Sequence, residues 1–209
     1  LGRLERLRAS LKLLREYRVR CVLMMQYLAQ TMEQYTQHEA KAFTNIKTKI
    51  SKNPQTVAVG NEDIYNFPMV FMTGHGNVFF SDDDAENLRN YLISGGFLHI
   101  SDNYGLDKFI RKEIKKVFPT LDFKEIPSNH QIYNQTFKFP NGMPKIHEHD
   151  KKAAQGFGIF YEGRLIVFYD YETDLSDGWE DEIIHNNPKS VREKALKMGA
   201  NIIEYAFKN

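Results

Sequence analysis

Met69-Val70-Phe71-Met72-Thr73-Gly74-His75-Gly76-Asn77 and, one helix-length later, Phe97-Leu98-His99-Ile100-Ser101-Asp102-Asn103-Tyr104-Gly105 decide the fold of this chain. Each opens as a continuous apolar run, the mark of a strand buried on both faces, and each closes in a polar loop carrying glycine. Between them, Ser81 and Asp82-Asp83-Asp84 precede apolar residues at Ala85, Leu88, Tyr91 and Leu92. A hydroxyl and acids in that order suit a helix amino terminus. Gly95-Gly96 ends the helix by supplying a left-handed conformation. Two strands joined through one helix form a parallel βαβ unit, and ligands of open parallel sheets gather at the carboxyl ends of the strands. Both polar loops are therefore expected on one rim.

The same grammar extends outward. Thr56–Val59 reads as a short strand ahead of Phe67–Met72, and Leu106–Val117 as a helix with Lys108, Arg111, Lys112, Lys115 and Lys116 outside and Pro119 beyond its end. Leu121–Ile126 reads as a further strand. Gly156–Tyr161 and Arg164–Tyr169 are strands separated only by Glu162-Gly163, a tight hairpin. Pro188 and Ser190 open a last helix whose Val191, Ala195, Met198, Ile202, Tyr205 and Ala206 can cover a sheet face. The expectation is an α/β domain over residues 51–209, a mostly parallel, flavodoxin-like sheet flanked by helices, with one antiparallel hairpin in or beside it.

At 209 residues and 42% hydrophobic, the chain can bury a proper core. Residues 1–50 differ from the rest. They hold ten Lys/Arg against four Asp/Glu, whereas the remainder holds eighteen against twenty-three, so a basic arm precedes a mildly acidic body. From Arg3 to Ser51 there is neither Gly nor Pro, and Leu4, Leu7, Leu11, Leu14, Arg18, Cys21, Met25, Leu28, Met32 and Tyr35 follow a 3-4 spacing with one polar exception. Such an amphipathic helix packs on the body of its own chain or pairs copies of the chain through residues 4–35. Its basic residues read as a solvated face, and no nucleic-acid partner is expected. The run Cys21–Ala29 is too short to span a bilayer, and Gln26 and Tyr27 interrupt it. The single cysteine excludes an intramolecular disulfide and a cysteine zinc cage.

Six ordered blocks carry a resemblance. They are Phe71-Met72-Thr73-Gly74-His75-Gly76-Asn77; Leu92-Ile93-Ser94-Gly95-Gly96-Phe97-Leu98-His99 with Asp102-Asn103-Tyr104-Gly105; Lys145-Ile146-His147-Glu148-His149-Asp150; Gln155-Gly156-Phe157-Gly158-Ile159; Tyr171-Glu172-Thr173-Asp174-Leu175 with Asp177-Gly178-Trp179-Glu180-Asp181; and Met198-Gly199-Ala200-Asn201-Ile202. Together they resemble the bacterial domain of unknown function 4159 family over roughly Asn45 to Asn209. The resemblance implies a domain related to class I glutamine amidotransferases, exported or associated with the cell envelope. It also implies a preceding strand and a Gly-Gly-Gly-Asp-Trp loop, which nothing in Leu1–Thr44 matches. Either a helix replaces that segment or the first 44 residues are foreign to the domain.

Glutaminase chemistry needs a thiolate on a sharp, glycine-flanked turn. Cys21 lies on the helical seam without a glycine nearby, so amidotransfer is not expected. Ser101 follows a strand but lacks the glycine spacing of a serine elbow, and suits a turn or cap instead. The loop Thr73-Gly74-His75-Gly76-Asn77 is better suited to binding, since its glycines let backbone N–H groups approach a ligand while His75 offers a donor or base. Asp102 and Asn103, with Tyr104, either face that loop or cap a helix. His147 and His149, at i and i+2, point to one side of an extended segment and can chelate a transition metal with Asp174, Glu172 or Asp102, or else face solvent. Asp170, Glu172 and Asp174 beside Tyr169, Tyr171 and Trp179 suit sugar recognition, or form an acidic loop pinned by a buried tryptophan.

The expected function is non-catalytic binding of a small polar or carbohydrate-like ligand by Thr73, Gly74, His75, Gly76, Asn77, Asp102, Asn103, Tyr104, Asp174, His149 and Trp179. The alternatives are a hydrolase working through His75, Asp102 and Glu172 or through a divalent metal on His147 and His149, and an assembly module working through the amino-terminal helix. No cofactor is required beyond that metal.

Overall fold

The computed structural model describes residues 56–180 and 182–209. The basic arm, its seam and Cys21 lie outside the described residues. Among the described residues no helix is long and apolar enough to cross a membrane.

Five strands form one sheet in the order β1-β2-β5-β4-β3: β1 is Met69–Gly74, β2 Phe97–Asp102, β3 Lys124–Glu125, β4 Gln155–Tyr161 and β5 Arg164–Tyr171. Helix α1 (Asp82–Ile93) links β1 to β2, and α2 (Asp107–Val117) follows β2. A 3₁₀ turn at Leu175–Trp179, the short α3 (Glu182–His185) and the long α4 (Lys189–Lys208) complete the chain. Ser81 caps α1 as expected. Its side chain accepts from the Asp84 amide while Asp84 accepts from the Ser81 amide, a complete capping box.

The sheet is mixed rather than mostly parallel. β1 pairs in parallel with β2 (Met69 opposite Phe97 through Gly74 opposite Asp102) and β2 with β5, but β5–β4 and β4–β3 are antiparallel. The hairpin decides this. Glu162 and Gly163 have φ of +49° and +81°, the two left-handed positions of a turn that reverses the chain at once, so β4 must run against β5 and carries β3 with it.

Two other expectations also change. Residues 56–59 form no strand: the Asn61 amide bonds back to the Ala58 carbonyl, the Asn87 side chain takes the Val59 carbonyl at 2.7 Å, and the segment turns into a 3₁₀ helix at Glu62–Asn66. Of Leu121–Ile126 only Lys124–Glu125 pairs as a strand.

Helices cover both faces of the sheet. Val70 and Met72 join Leu88, Leu92, Ile110 and Ile114 of α1 and α2 in one apolar cluster, while Met69 and Phe71 join Ala195, Met198 and Ile202 of α4 in another. Period-2 alternation along β1 thus serves two cores. Gly178 lets the 3₁₀ turn press onto α4, since a Cβ there would fall 2.3 Å from the Ala195 methyl. The ends of β1, β2 and β5 and the beginning of β4 all lie at one edge of this sandwich.

Candidate functional site

Three strand ends deliver the polar groups to that rim. From β1, Thr73 Oγ1 lies 3.5 Å from Ser176 Oγ, which donates to Asn103 Oδ1 beyond β2 at 2.9 Å. Asn103 Nδ2 in turn donates to Asp177 Oδ1 at 2.9 Å. This chain of side chains orients Asp177 and leaves its other oxygen to the histidines. Asp177 Oδ2 lies 3.3 Å from His147 Nδ1 and 3.8 Å from His185 Nδ1.

Both imidazoles are held from behind. His147 Nε2 meets Asn187 Oδ1 at 2.8 Å, and His185 Nε2 meets Glu180 Oε2 at 2.8 Å. Asn187 is buried, and its Nδ2 donates to the Asp177 carbonyl at 3.4 Å, which fixes its oxygen toward His147. Both acceptors can only accept, so each Nε2 carries a hydrogen, and each Nδ1 is turned toward the same carboxylate oxygen. Ligand atoms of His147, Asp177 and His185 all lie within 4.8 Å of one another. With bonds of about 2.0–2.1 Å, neighbouring ligands of a tetrahedral zinc ion are separated by roughly 3.4 Å, close to the two distances on Asp177.

Asp174 meets His147 at the same nitrogen as Asp177 does. It is buried, in a left-handed conformation at φ +53°, and its Oδ2 lies 3.2 Å from His147 Nδ1 and in short contact with His149 Nε2. Its Oδ1 is buried without a hydrogen-bond partner among the described residues. Glu172 is also left-handed, at φ +58°, so two non-glycine residues of one turn occupy an unfavourable region beside the site. Tyr104, itself at φ +66° and exposed, stacks on His149 with ring centroids 4.4 Å apart. Burial holds the Asp177 carboxyl above its ordinary range, with Asp174 and Glu180 adding to the shift and His185 and His147 opposing it.

The other expected site residues separate. His75 and Asn77 are exposed on the neighbouring loop, which Gly105 approaches at the Gly76 amide. Gly74 closes β1 opposite Asp102. Asp102 turns inward: Oδ1 accepts from the Leu106 amide at the start of α2, and Oδ2 accepts from Tyr169. Burial raises its pKa to about 6. Glu172 is taken by Lys145 at 3.4 Å and Lys152 at 3.5 Å. Trp179 is a core residue whose Nε1 donates to the Ala195 carbonyl, packed by Phe71 at 5.3 Å and His99 at 5.8 Å.

Ser101 is neither an elbow nucleophile nor a cap. It is fully buried and donates to Asp170 Oδ1 at 2.9 Å, while Asp170 Oδ2 meets His99 Nε2 at 2.6 Å inside the protein. Burial raises the Asp170 carboxyl despite both partners. His185 and Asn187 were not singled out by the sequence. Their spacing repeats the i, i+2 pattern of His147 and His149, but only the fold brings the two segments together.

The family described as domain of unknown function (DUF4159) matches residues 26–207. The chain belongs to this family. The matched span begins at Gln26, so it takes in part of the segment before Asn45 that lies outside the resemblance read from the motifs. No curated protein matches the chain. Within this DUF4159 domain the blocks around Thr73–Asn77, Asp102–Gly105, Lys145–Asp150 and Tyr171–Asp181 supply most of the rim, and Asn187 completes it.

Proposed function

We propose that this DUF4159 domain binds a divalent transition metal through His147 Nδ1, His185 Nδ1 and Asp177 Oδ2, and uses the metal's open positions to hold an oxygen donor of a small polar ligand. One observation carries this: two imidazoles, each braced through Nε2 by an oxygen acceptor, turn Nδ1 onto one oriented carboxylate. Metal-binding histidines are braced in this way by carboxylates and carbonyls. Two nitrogens and one carboxylate suit zinc with an open position, or iron(II). The exposed loop of His75 and Asn77, with Asn103 and Tyr104, borders the ligand's side of the site.

A hydrolytic use of the same centre is favoured by Asp174. A buried carboxylate beside the metal ligands, with Oδ2 3.2 Å from His147 Nδ1, would serve as the base if a bound metal supplied an activated water. The kinship to class I glutaminases belongs to this proposal as well, resting on the family motifs and on the β1-α1-β2 unit. It does not include their thiolate mechanism, since the only cysteine is Cys21. Residence in the cell envelope and self-association through residues 4–35 rest on the family resemblance and on the helical seam.

Calorimetric titration of chelator-treated protein with zinc, manganese and nickel tests the centre. One equivalent is expected to bind, with affinity lowered at least about tenfold in His185→Ala and in Asp177→Asn and unchanged in His75→Ala. Absence of uptake, or wild-type affinity in both ligand variants, rejects it.

A further inference from the structure

A cavity of about 330 Å³ opens at the other side of the same sheet edge, between β3, the start of β4 and the segment around Met143. Glu125, Ser128, Tyr133, Asn141 and Gln155 contribute its polar lining. Among the described residues none of these five side chains has a hydrogen-bond partner. Tyr133 is only 1% exposed as a residue and lines the cavity wall. The fold makes room for that hydroxyl at Gly156, where a Cβ would lie 1.9 Å from it. A phenol held against glycine with no hydrogen-bond partner among the described residues has its hydrogen bond left over for something else.

The lining also limits what that is. Among the described residues Glu125 is the only carboxylate of the lining and no Lys, Arg or His stands with it, so an anion would meet carboxylate and no counter-charge. Burial keeps the Tyr133 hydroxyl protonated far above neutral pH, so it serves as a neutral donor and acceptor. Ile126 and Met143 supply a buried apolar floor. The volume is at the small end of ligand pockets, which run from about 300 to 1,000 Å³.

We propose that this cavity is a second binding site, separate from the metal centre, for a neutral polyol of monosaccharide size whose hydroxyls pair with Tyr133, Glu125, Ser128, Asn141 and Gln155. Several donors and acceptors arranged over a small apolar floor match a ligand that carries hydroxyls around an apolar ring face.

Saturation-transfer NMR and calorimetry on the full chain, with D-glucose, D-ribose and myo-inositol as probes and phosphate and ethanolamine as charged comparators, decide the matter. At least one polyol is expected to bind at millimolar concentration, with affinity falling about tenfold in Tyr133→Phe and in Gln155→Ala, and unchanged in His185→Ala. Gln155 is half-buried at the start of β4, so its variant reports even if Tyr133→Phe unfolds. The proposal is overturned if no polyol binds, if only phosphate or ethanolamine binds, or if both lining variants bind as the wild type does. Loss of polyol binding in His185→Ala would move the ligand to the rim and overturn the second site while leaving the metal centre intact.

Discussion

Asn187 is not itself a proposed metal ligand, yet through His147 Nε2 it sets which nitrogen of His147 faces the centre. Asn187→Ala removes that brace, and zinc affinity is expected to fall about tenfold while the thermal midpoint of the metal-free protein moves little. Titration of the variant beside His147→Ala checks the order, since direct loss of the ligand must cost more. Asp102 supports a different prediction, of pH dependence. Its ordinary pKa of 3.8 is raised to about 6 by burial. Below pH 4 folded and unfolded chains are both protonated there. Between about pH 4 and 6 the unfolded chain gives up the proton first, so rising pH lowers stability, and above 6 the whole penalty stands. Asp102→Asn keeps an oxygen for the Leu106 amide and removes the charge. Urea unfolding is expected to show the variant more stable by about 2 kcal/mol at pH 8, with the difference vanishing below pH 4.

The Glu162-Gly163 turn was legible because two residues between apolar runs admit few geometries, and its two positive φ values agree with that. Gly163→Ala places a Cβ at φ +81° with open space around it, so the cost is conformational. A loss of about 1 kcal/mol is expected in equilibrium unfolding, with the fold unchanged. Residues 56–59 were read wrongly for the opposite reason. Val57 and Val59 are buried, as strand residues would be, but the Asn87 side chain takes the carbonyl that a ladder would have used. Nothing in a local apolar pattern records a partner nearly thirty residues away. The antiparallel hairpin was read from its turn, but not that β3 would join it and make two of the four pairings antiparallel, because alternation identifies a strand without saying which neighbour it joins.

At the scale of the whole molecule, the rim was legible where a strand and its loop are contiguous: β1 leads into Thr73–Asn77 and β2 into Asn103–Tyr104 at the same end of the sheet. It was not legible where the site depends on distant segments. His147 lies in a loop, Asp177 in the 3₁₀ turn Leu175–Trp179, His185 at the end of the four-residue α3 and Asn187 just beyond it, and segments so short or irregular carry no periodicity to align them. For Asp102 and Trp179 the sequence left two placements open, since a strand end or a tryptophan can face inward as readily as outward, and only the packing of α2 and α4 decides. The position of β5 has one more consequence, for the order in which the chain folds. β5 joins β4 through a two-residue turn but joins β2 across a long stretch of sequence, with Leu98 opposite Val167. Local pairing is kinetically cheap and distant pairing slow. The hairpin is therefore expected to form first and to serve as the template on which β2, and then β1, are recruited. In stopped-flow unfolding and refolding, Leu165→Ala should slow folding, whereas Met72→Ala should chiefly speed unfolding.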